Sequence, residues 1–429
     1  MSSDNAAIVI AQRFPFREET GEMYLFDEIK VLAEYFSRII VLSCYAEGIQ
    51  PIHALPQNVF VFSISPGSDG LFQKRFGLEG FLWACVGRSF GKTDALSFKQ
   101  RIYLNSMELM VASLKKKASE IIDSNQSLFE HVELIYSYRM TTTASVAINC
   151  RNILSGMGQH PKLVTRAHGY DLYENVSPCG KQPFREEVLE EFDSILPCSQ
   201  VGCDYLQSKH PEQKEKIVCS YLGSQAPASL NFKSNDGILR IVSCSNVNEV
   251  KRVVLIAESI KSLEDEGILV RWIHIGSGPL MKPLKQYCEA NLISGSFTLM
   301  GPKAHEEVFQ IYQRENFDLF VSASASEGIP QAIMEAYSFG IPAIATDVGG
   351  TKEIVSDGIN GFLIEPHDVA RSLVKAIKHY LGLSSSQMDM MRAEAYRRWN
   401  ERFNADINAR SFLSTVVDVE SNLGDQING

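Results

Sequence analysis

Short apolar, β-branched runs alternate with longer amphipathic stretches along most of the chain. Ala6–Ala11, Arg38–Ser43, Asn58–Ile64, Val132–Tyr138, Lys162–Arg166 and Ser194–Cys198 have the length and composition of strands buried on both faces. Helical spacing fills the intervals, with apolar positions at Leu25, Ile29, Leu32 and Phe36 in Glu22–Phe36, and a long amphipathic stretch at Leu104–Ile122. After Gln225–Gly237, poor in apolar residues and read as a linker, the rhythm restarts. Leu239–Cys244, Leu269–Ile275, Phe297–Leu299, Phe317–Ser322, Ala343–Thr346 and Phe362–Ile364 predict a second series of strands. Helices are predicted at Val250–Leu263, Met281–Asn291, Ala304–Gln313 and Val369–Tyr380, and through the Arg/Glu-rich segment Gln387–Val417. Such alternation predicts an α/β chain of two doubly wound, Rossmann-like parallel sheets facing each other across a cleft. The expected domains are residues 1–224 and 238–385, with 386–429 a helical segment packing back toward the first.

The most informative stretch lies between Phe317 and Pro342. A buried strand ends in a small-residue loop, Pro330 takes the place of a first helical residue, and Gly340 and Pro342 stop the helix after Phe339. This puts Glu327 in the loop at the strand's carboxyl end and Glu335 in the second helical turn. Ligands of open α/β sheets bind at that end of the strands. Two carboxylates and a glycine loop there suit a polyhydroxylated, phosphate-bearing ligand.

At 429 residues, two domains of roughly 200 residues are expected. The net charge of −10 argues against a nucleic-acid partner. Nine scattered cysteines without a C-x-x-C pair fit reduced thiols in the cytoplasm, not a disulfide frame or a zinc site. No apolar run reaches a membrane span of about 20 residues. Charge is uneven, however: residues 71–117 hold nine Lys/Arg against three acids, interspersed with Phe81, Trp83, Phe90 and Phe98. That span reads either as a peripheral membrane face or as a solvated helix pair whose aromatics are core.

Several segments together resemble the retaining glycosyltransferases of family 4, which have the GT-B fold. Ser326–Ala336 carries the E-x7-E pattern through Glu327 and Glu335. Gly340-Ile-Pro-Ala-Ile-Ala-Thr-Asp-Val-Gly-Gly350, Glu353 and Gly358-x-Asn360-Gly361 continue it. Trp272–Pro279 is similar to the family's strand-and-glycine turn, Met300-Gly301 to its next strand end, and Arg166-Ala-His-Gly-Tyr-Asp171 to its histidine motif. Phe14-Pro15, Gly21-Glu22 and Glu28-Ile29 resemble the opening of its exopolysaccharide-building branch. The matching segments run in order over roughly residues 8–365.

The resemblance implies transfer of a sugar from a UDP- or GDP-linked donor to an acceptor hydroxyl on a glycan or lipid-linked glycan. It implies retention by front-face attack, without a metal or other cofactor. By the same resemblance, Glu335 accepts hydrogen bonds from ribose hydroxyls, and the loop of Glu327, Gly328, Ile329 and Pro330 cradles the donor sugar. Gly301 turns beside the nucleotide, Lys251 holds phosphate, and His168 faces the reacting centre with Asp171 beside it. Gly21 and Glu22 form a loop for acceptor or phosphate, or a simple turn. Gly276, Gly278 and the Gly349-Gly350 pair read as tight turns, with Thr351 as a helix N-cap. The family usually places an Arg five residues before its Lys; here that position is Asn246, which keeps a donor and lacks the charge. Arg252 is read as a surface residue, or as a substitute for the missing Arg. The competing classes are an acceptor-independent nucleotide-sugar epimerase and a non-catalytic subunit.

Overall fold

The computed structural model describes residues 4–16, 22, 24–45, 54–65, 70–86, 96–233 and 236–417. Gly21, Phe90 and the cations Arg88 and Lys92 lie outside them. The chain divides into two compact units, Met1–Ser220 with Ala409–Gly429, and Tyr221–Asn408. The segment from 386 onward is thus split: a helix at Ser385–Arg402 belongs to the second unit, and residues from Ala409 on to the first.

In the first unit the strands are β1 (Ala6–Ala11), β2 (Arg38–Ser43), β3 (Val59–Ser63), β4 (Val132–Ser137), β5 (Lys162–Ala167) and β6 (Ser194–Pro197). All pairings are parallel, in the order β3-β2-β1-β4-β5-β6. Helices α1 (Leu25–Tyr35), α2 (Gly70–Cys85), α3 (Phe98–Ser124), α4 (Thr142–Gly156), α5 (Gly169–Leu172), α6 (Arg185–Glu191) and α7 (Gln200–Lys209) surround it. The second unit repeats the plan with β7 (Leu239–Cys244), β8 (Val270–Ile275), β9 (Phe297–Leu299), β10 (Leu319–Ser322), β11 (Ala343–Thr346) and β12 (Gly361–Ile364). Their order is β12-β11-β10-β7-β8-β9, again all parallel. Its helices are α8 (Val253–Asp265), α9 (Met281–Asn291), α10 (His305–Arg314), α11 (Gln331–Ser338), α12 (Thr351–Ile354), α13 (Val369–Leu381) and α14 (Ser385–Arg402). Helix α15 (Ala405–Val416) follows, and α14 and α15 are separate helices where one helical segment was expected.

Both sheets have the doubly wound order 3-2-1-4-5-6, with the chain reversing direction across the sheet between β1 and β4 and between β7 and β10. At such a switch point the loops after the two central strands diverge and leave a crevice. The buried runs follow from cover on both faces. Along β1, Ala6, Ile8 and Ile10 join a core with Leu114, Ala118 and Ile122 of α3. Ala7, Val9 and Ala11 join a second core with Leu25, Ile29 and Leu32 of α1 and with Phe412 of α15. Every residue of the strand is therefore apolar.

One polar cluster interrupts the second of these cores. The fully buried guanidinium of Arg166 pairs with Glu28, whose other oxygen accepts from Tyr136 Oη at 2.7 Å. Arg166 also donates to the Ser220 carbonyl at 2.5 Å and lies over the Phe412 ring at 4.9 Å. The Arg166 and Glu28 positions quoted from the sequence motifs thus meet inside the first unit, under its sheet. Removing one charge should leave the other buried and uncompensated. Arg166→Met is expected to destabilise the protein by about 3 to 5 kcal/mol, and Arg166→Met with Glu28→Leu by clearly less, measured by denaturant unfolding.

Candidate functional site

In the second unit, the loops after β7 and β10 meet across the switch point. The turn after β7 carries Asn248, whose Oδ1 accepts from Lys251 N at 2.9 Å. Lys251 Nζ then reaches Glu327 Oε1, 2.5 Å away in the loop after β10. The predicted phosphate cation and the predicted loop acid are therefore directly paired.

Arg252 departs from its reading as a surface residue. It adopts a left-handed conformation, φ 48°. Its guanidinium donates to the carbonyls of Ala323 at 2.7 Å, Ser324 at 2.8 Å and Pro366 at 3.2 Å. These bonds tie together the loops after β7, β10 and β12, so Arg252 braces the site and does not stand in for the family's Arg. Asn246 is exposed.

The Glu327 loop is held from the other side by glycines. Gly349 has φ 53°, and a Cβ on it would fall 1.9 Å from the Glu327 carbonyl oxygen. Gly350 N donates to the Gly328 carbonyl at 2.9 Å, and a Cβ there would meet the same oxygen at 2.4 Å. Only glycine allows so close a backbone approach, so this pair is more than a turn. The N–H groups of Gly328 and Ile329 find no acceptor among the described residues. Pro330 is extended, φ −77° and ψ 95°, and precedes the helix as its N-cap; the first helical residue is Gln331. Thr351 is likewise inside its helix: Gly350 is the N-cap, and Thr351 Oγ1 donates back to the Val348 carbonyl at 2.7 Å.

Glu335 sits in the second turn of α11, 5% exposed, with Oε1 3.1 Å from His305 Nε2. The His305 ring packs on Phe309, 4.6 Å between centroids. Sequence reasoning passed over His305, which opens α10 some thirty positions earlier. Cys244, at the end of β7, shows how near these charges lie. Burial pushes its thiol up to about 12, the Glu335 charge adds to the rise, and Lys251 works against it. Gly276 and Gly301 pair by a backbone bridge, with Gly276 N donating to the Gly301 carbonyl at 2.9 Å. A Cβ on Gly276 would strike the Ser245 carbonyl oxygen at 2.0 Å, so the turn after β8 presses on the turn after β7.

At the switch point of the first unit, Glu22 is fully buried. Its carboxylate accepts from Gln12 N at 2.8 Å, Arg13 N at 2.6 Å and Phe14 N at 2.8 Å. The N–H groups of residues 12–14, after β1, are thus taken by the Glu22 carboxylate, which fixes the loop. Arg139, after β4, approaches Glu22 at 3.8 Å and stacks over the Tyr170 ring at 4.8 Å. No local pattern in the sequence singles Arg139 out.

His168 caps α5 at the end of β5, beside the Tyr138 ring at 4.9 Å. Asp171 accepts from His168 N at 2.6 Å and from Met140 N at 2.9 Å, joining the loops after β4 and β5. His168 Nδ1 stands 3.9 Å from Asp171 Oδ2, beyond hydrogen-bond reach, and both ring nitrogens are buried without a hydrogen-bond partner. Burial, reinforced by the Arg139 charge, lowers the His168 pKa to about 4, so the ring is neutral near pH 7. Burial opposes charge on Asp171, but the Arg139 charge and the Met140 N–H help hold its carboxyl below the usual range.

Beside this cluster is a cavity of about 300 Å³ at the carboxyl ends of β1, β2, β4 and β5. Arg13, Tyr45, Thr142 and Tyr170 line it from the strand side, and Tyr103 and Met107 from α3. Gln12 Nε2 donates to Tyr170 Oη at 2.7 Å. Among the described residues, no group of three or more His, Cys, Asp or Glu could hold a metal ion.

Two outcomes follow from this geometry. Gly349→Ala should displace the Glu327 loop and lower affinity for the ligand of the second unit by about tenfold or more, with far-UV circular dichroism unchanged. His168 and His274 are both buried with pKa values lowered to about 4, His274 by burial. Protons then bind the unfolded chain preferentially below its histidine pKa. Stability should therefore fall as pH drops from about 6.5 toward 4, by roughly 1.4 kcal/mol per pH unit for each histidine. Denaturant titrations at pH 7.5 and 5 check the sign, and His274→Gln should flatten the slope.

Residues 228–398 match the family described as glycosyl transferases group 1. The chain is 26% identical, over 59% of its length, to the putative colanic acid biosynthesis glycosyltransferase WcaL of Escherichia coli, and spans 64% of that relative. A glycosyltransferase structure from Rickettsia africae covers 98% of this chain and all of its own, with TM-score 0.66 and 15% identity. Anabaena HepE in complex with UDP and glucose covers 95% of this chain and 98% of its own, with TM-score 0.63 and 17% identity. The chain thus has the GT-B fold, and residues 228–398, within its second unit, are similar to the glycosyl transferases group 1 family.

Proposed function

We propose that this protein is a retaining glycosyltransferase of surface-polysaccharide assembly, transferring a sugar from a nucleoside diphosphate donor to a glycan hydroxyl. The observation that carries the reading is the meeting of Lys251, Glu327 and the nearby Glu335 at the switch point of the second unit. A carboxylate as buried as Glu335, oriented by His305, suits the two hydroxyls of a ribose. Lys251 offers positive charge where a leaving diphosphate develops negative charge as the glycosidic bond breaks. Glu327 neutralises that cation in the structure. Donor binding would exchange Glu327 for phosphate and free its carboxylate, with the Gly328 and Ile329 N–H groups, for sugar hydroxyls.

In the first unit, the unpartnered His168 ring is suited to a substrate hydroxyl, since a buried polar group without a partner is costly unless a ligand supplies one. The neighbouring cavity, with aromatic walls and a few polar groups, suits the terminal sugar of an acceptor. Retention would proceed by front-face attack, the leaving phosphate taking the acceptor proton, without a metal ion. The WcaL likeness supports the exopolysaccharide setting, and the HepE complex supports a uridine diphosphate donor.

A thermal-shift series with UDP- and GDP-sugars tests the reading. The cognate donor should stabilise the protein by about 2.7 kcal/mol at a hundredfold excess over Kd. Glu335→Ala and Lys251→Ala should weaken that donor by on the order of tenfold to a hundredfold. His168→Ala should leave the shift intact and lower turnover by about tenfold or more, with EDTA without effect. Stabilisation by no nucleotide sugar, or full activity in all three variants, would refute the assignment.

A further inference from the structure

Helix α2 is apolar on two sides. Phe76, Gly80 and Ala84, four residues apart, face α3 and are buried. The approach is close, because a Cβ on Gly80 would fall 2.3 Å from Ser106 Oγ and 2.8 Å from the Ile102 carbonyl oxygen. The opposite stripe is Leu78, Phe81, Leu82 and Val86, exposed by 63%, 43%, 55% and 68%. Phe98, at the start of α3 and 41% exposed, extends it, with its ring 6.0 Å from that of Phe81. A helix hydrophobic all round is normally buried, and a contiguous exposed apolar patch marks an interaction surface.

Charge indicates what covers it. Within the described part of residues 75–101, the cations are Arg75, Lys99 and Arg101, and the one acid is Glu79, bonded to Arg75 at 3.0 Å. Arg101 lies over the Phe98 ring at 5.8 Å. On a chain of net charge −10, this is a cationic rim around apolar side chains, the pattern of an interfacial helix on anionic lipid. No described helix is long and apolar enough to cross a membrane.

We propose that the outer face of α2 and the start of α3 dock on an anionic bilayer, with Leu78, Phe81, Leu82, Val86 and Phe98 entering the headgroup boundary. The same hairpin serves the cavity of the first unit. Tyr103 and Met107 of α3 line it, and Gln100 Nε2 donates to the Cys179 carbonyl, at 3.0 Å, in the loop that closes it. Docking would hold the cavity beside the bilayer, where a glycan on a lipid carrier is presented. This link to the acceptor rests on the function proposed above; the docking itself rests on the patch.

Co-sedimentation of the full chain with vesicles is the test. Vesicles of phosphatidylcholine with about 30% phosphatidylglycerol should carry the protein down, phosphatidylcholine alone much less, and salt should reverse the difference. Leu82→Asp with Val86→Asp should lower the bound fraction by about tenfold, and Lys99→Glu by several-fold. Both variants replace exposed side chains, so the melting temperature and the donor-induced thermal shift should stay at wild-type values. A failure of docking is thereby separated from a failure of the donor site. No binding to either vesicle, equal binding to both, or binding indifferent to the substitutions would overturn the proposal. So would self-association in sedimentation velocity that Leu82→Asp with Val86→Asp abolishes, which would make the patch a contact between copies.

Discussion

The candidate site of the second unit depends on the guanidinium of Arg252. Three backbone carbonyls from the loops after β10 and β12 converge on it. Without that charge Ala323 and Pro366 would lose this donor, and Ser324 would keep the bond its carbonyl accepts from Thr346 Oγ1 at 2.5 Å. The requirement is strong enough to hold a residue other than glycine at φ 48°, a conformation that costs of order 1 kcal/mol or more. Lys251, just before it, turns toward Glu327. The glycines at 349 and 350 complete the clamp from the far side by letting two backbones touch. The site is thus preorganised by backbone contacts, and its charged side chains are carried on a fixed frame.

The first unit solves the same problem with an acid. At its switch point Glu22 collects the three N–H groups of residues 12–14, and Arg139 balances it from the loop after β4. Asp171 does the corresponding work between β4 and β5. What lies beside these braces is the neutral ring of His168, whose nitrogens have no hydrogen-bond partner, and the cavity lined by Tyr45 and Tyr170. Both units therefore place a bracing charge in the loop and a ligand-ready group beside it. In each pair the sequence alone does not say which is which.

Most of the fold was legible, for a physical reason. Parallel strands covered on both faces must be apolar throughout, so runs such as Ala6–Ala11 and Ile39–Leu42 stand out in the chain. Strand–turn–helix punctuation placed Glu327 and Glu335 at the carboxyl end of β10 and in the second turn of α11, where they are found. Local errors came where tertiary contact overrides local preference. Pro330, expected as a first helical residue, is the N-cap, and Thr351, expected as an N-cap, is the first helical residue, because the turns before α11 and α12 are shaped by contact with one another. The exposed stripe on α2 was ambiguous for a related reason. Aromatics at helical spacing look alike whether their face is buried in a core or open, and only exposure separates the two.

By itself, the sequence determined the α/β class, the two parallel sheets and the positions of the loop acids, since periodicity and turn chemistry are local properties. Tertiary structure alone decided the roles. Arg252 meets carbonyls 71 to 114 positions away, and His305 meets Glu335 thirty positions on. No local pattern encodes such meetings, which arise when the strand order brings distant loops to one end of a sheet. The E-x7-E stretch shows the division most plainly. Its strand, loop and helix were written locally, while the cation that pairs with Glu327 and the imidazole that orients Glu335 were supplied by the fold.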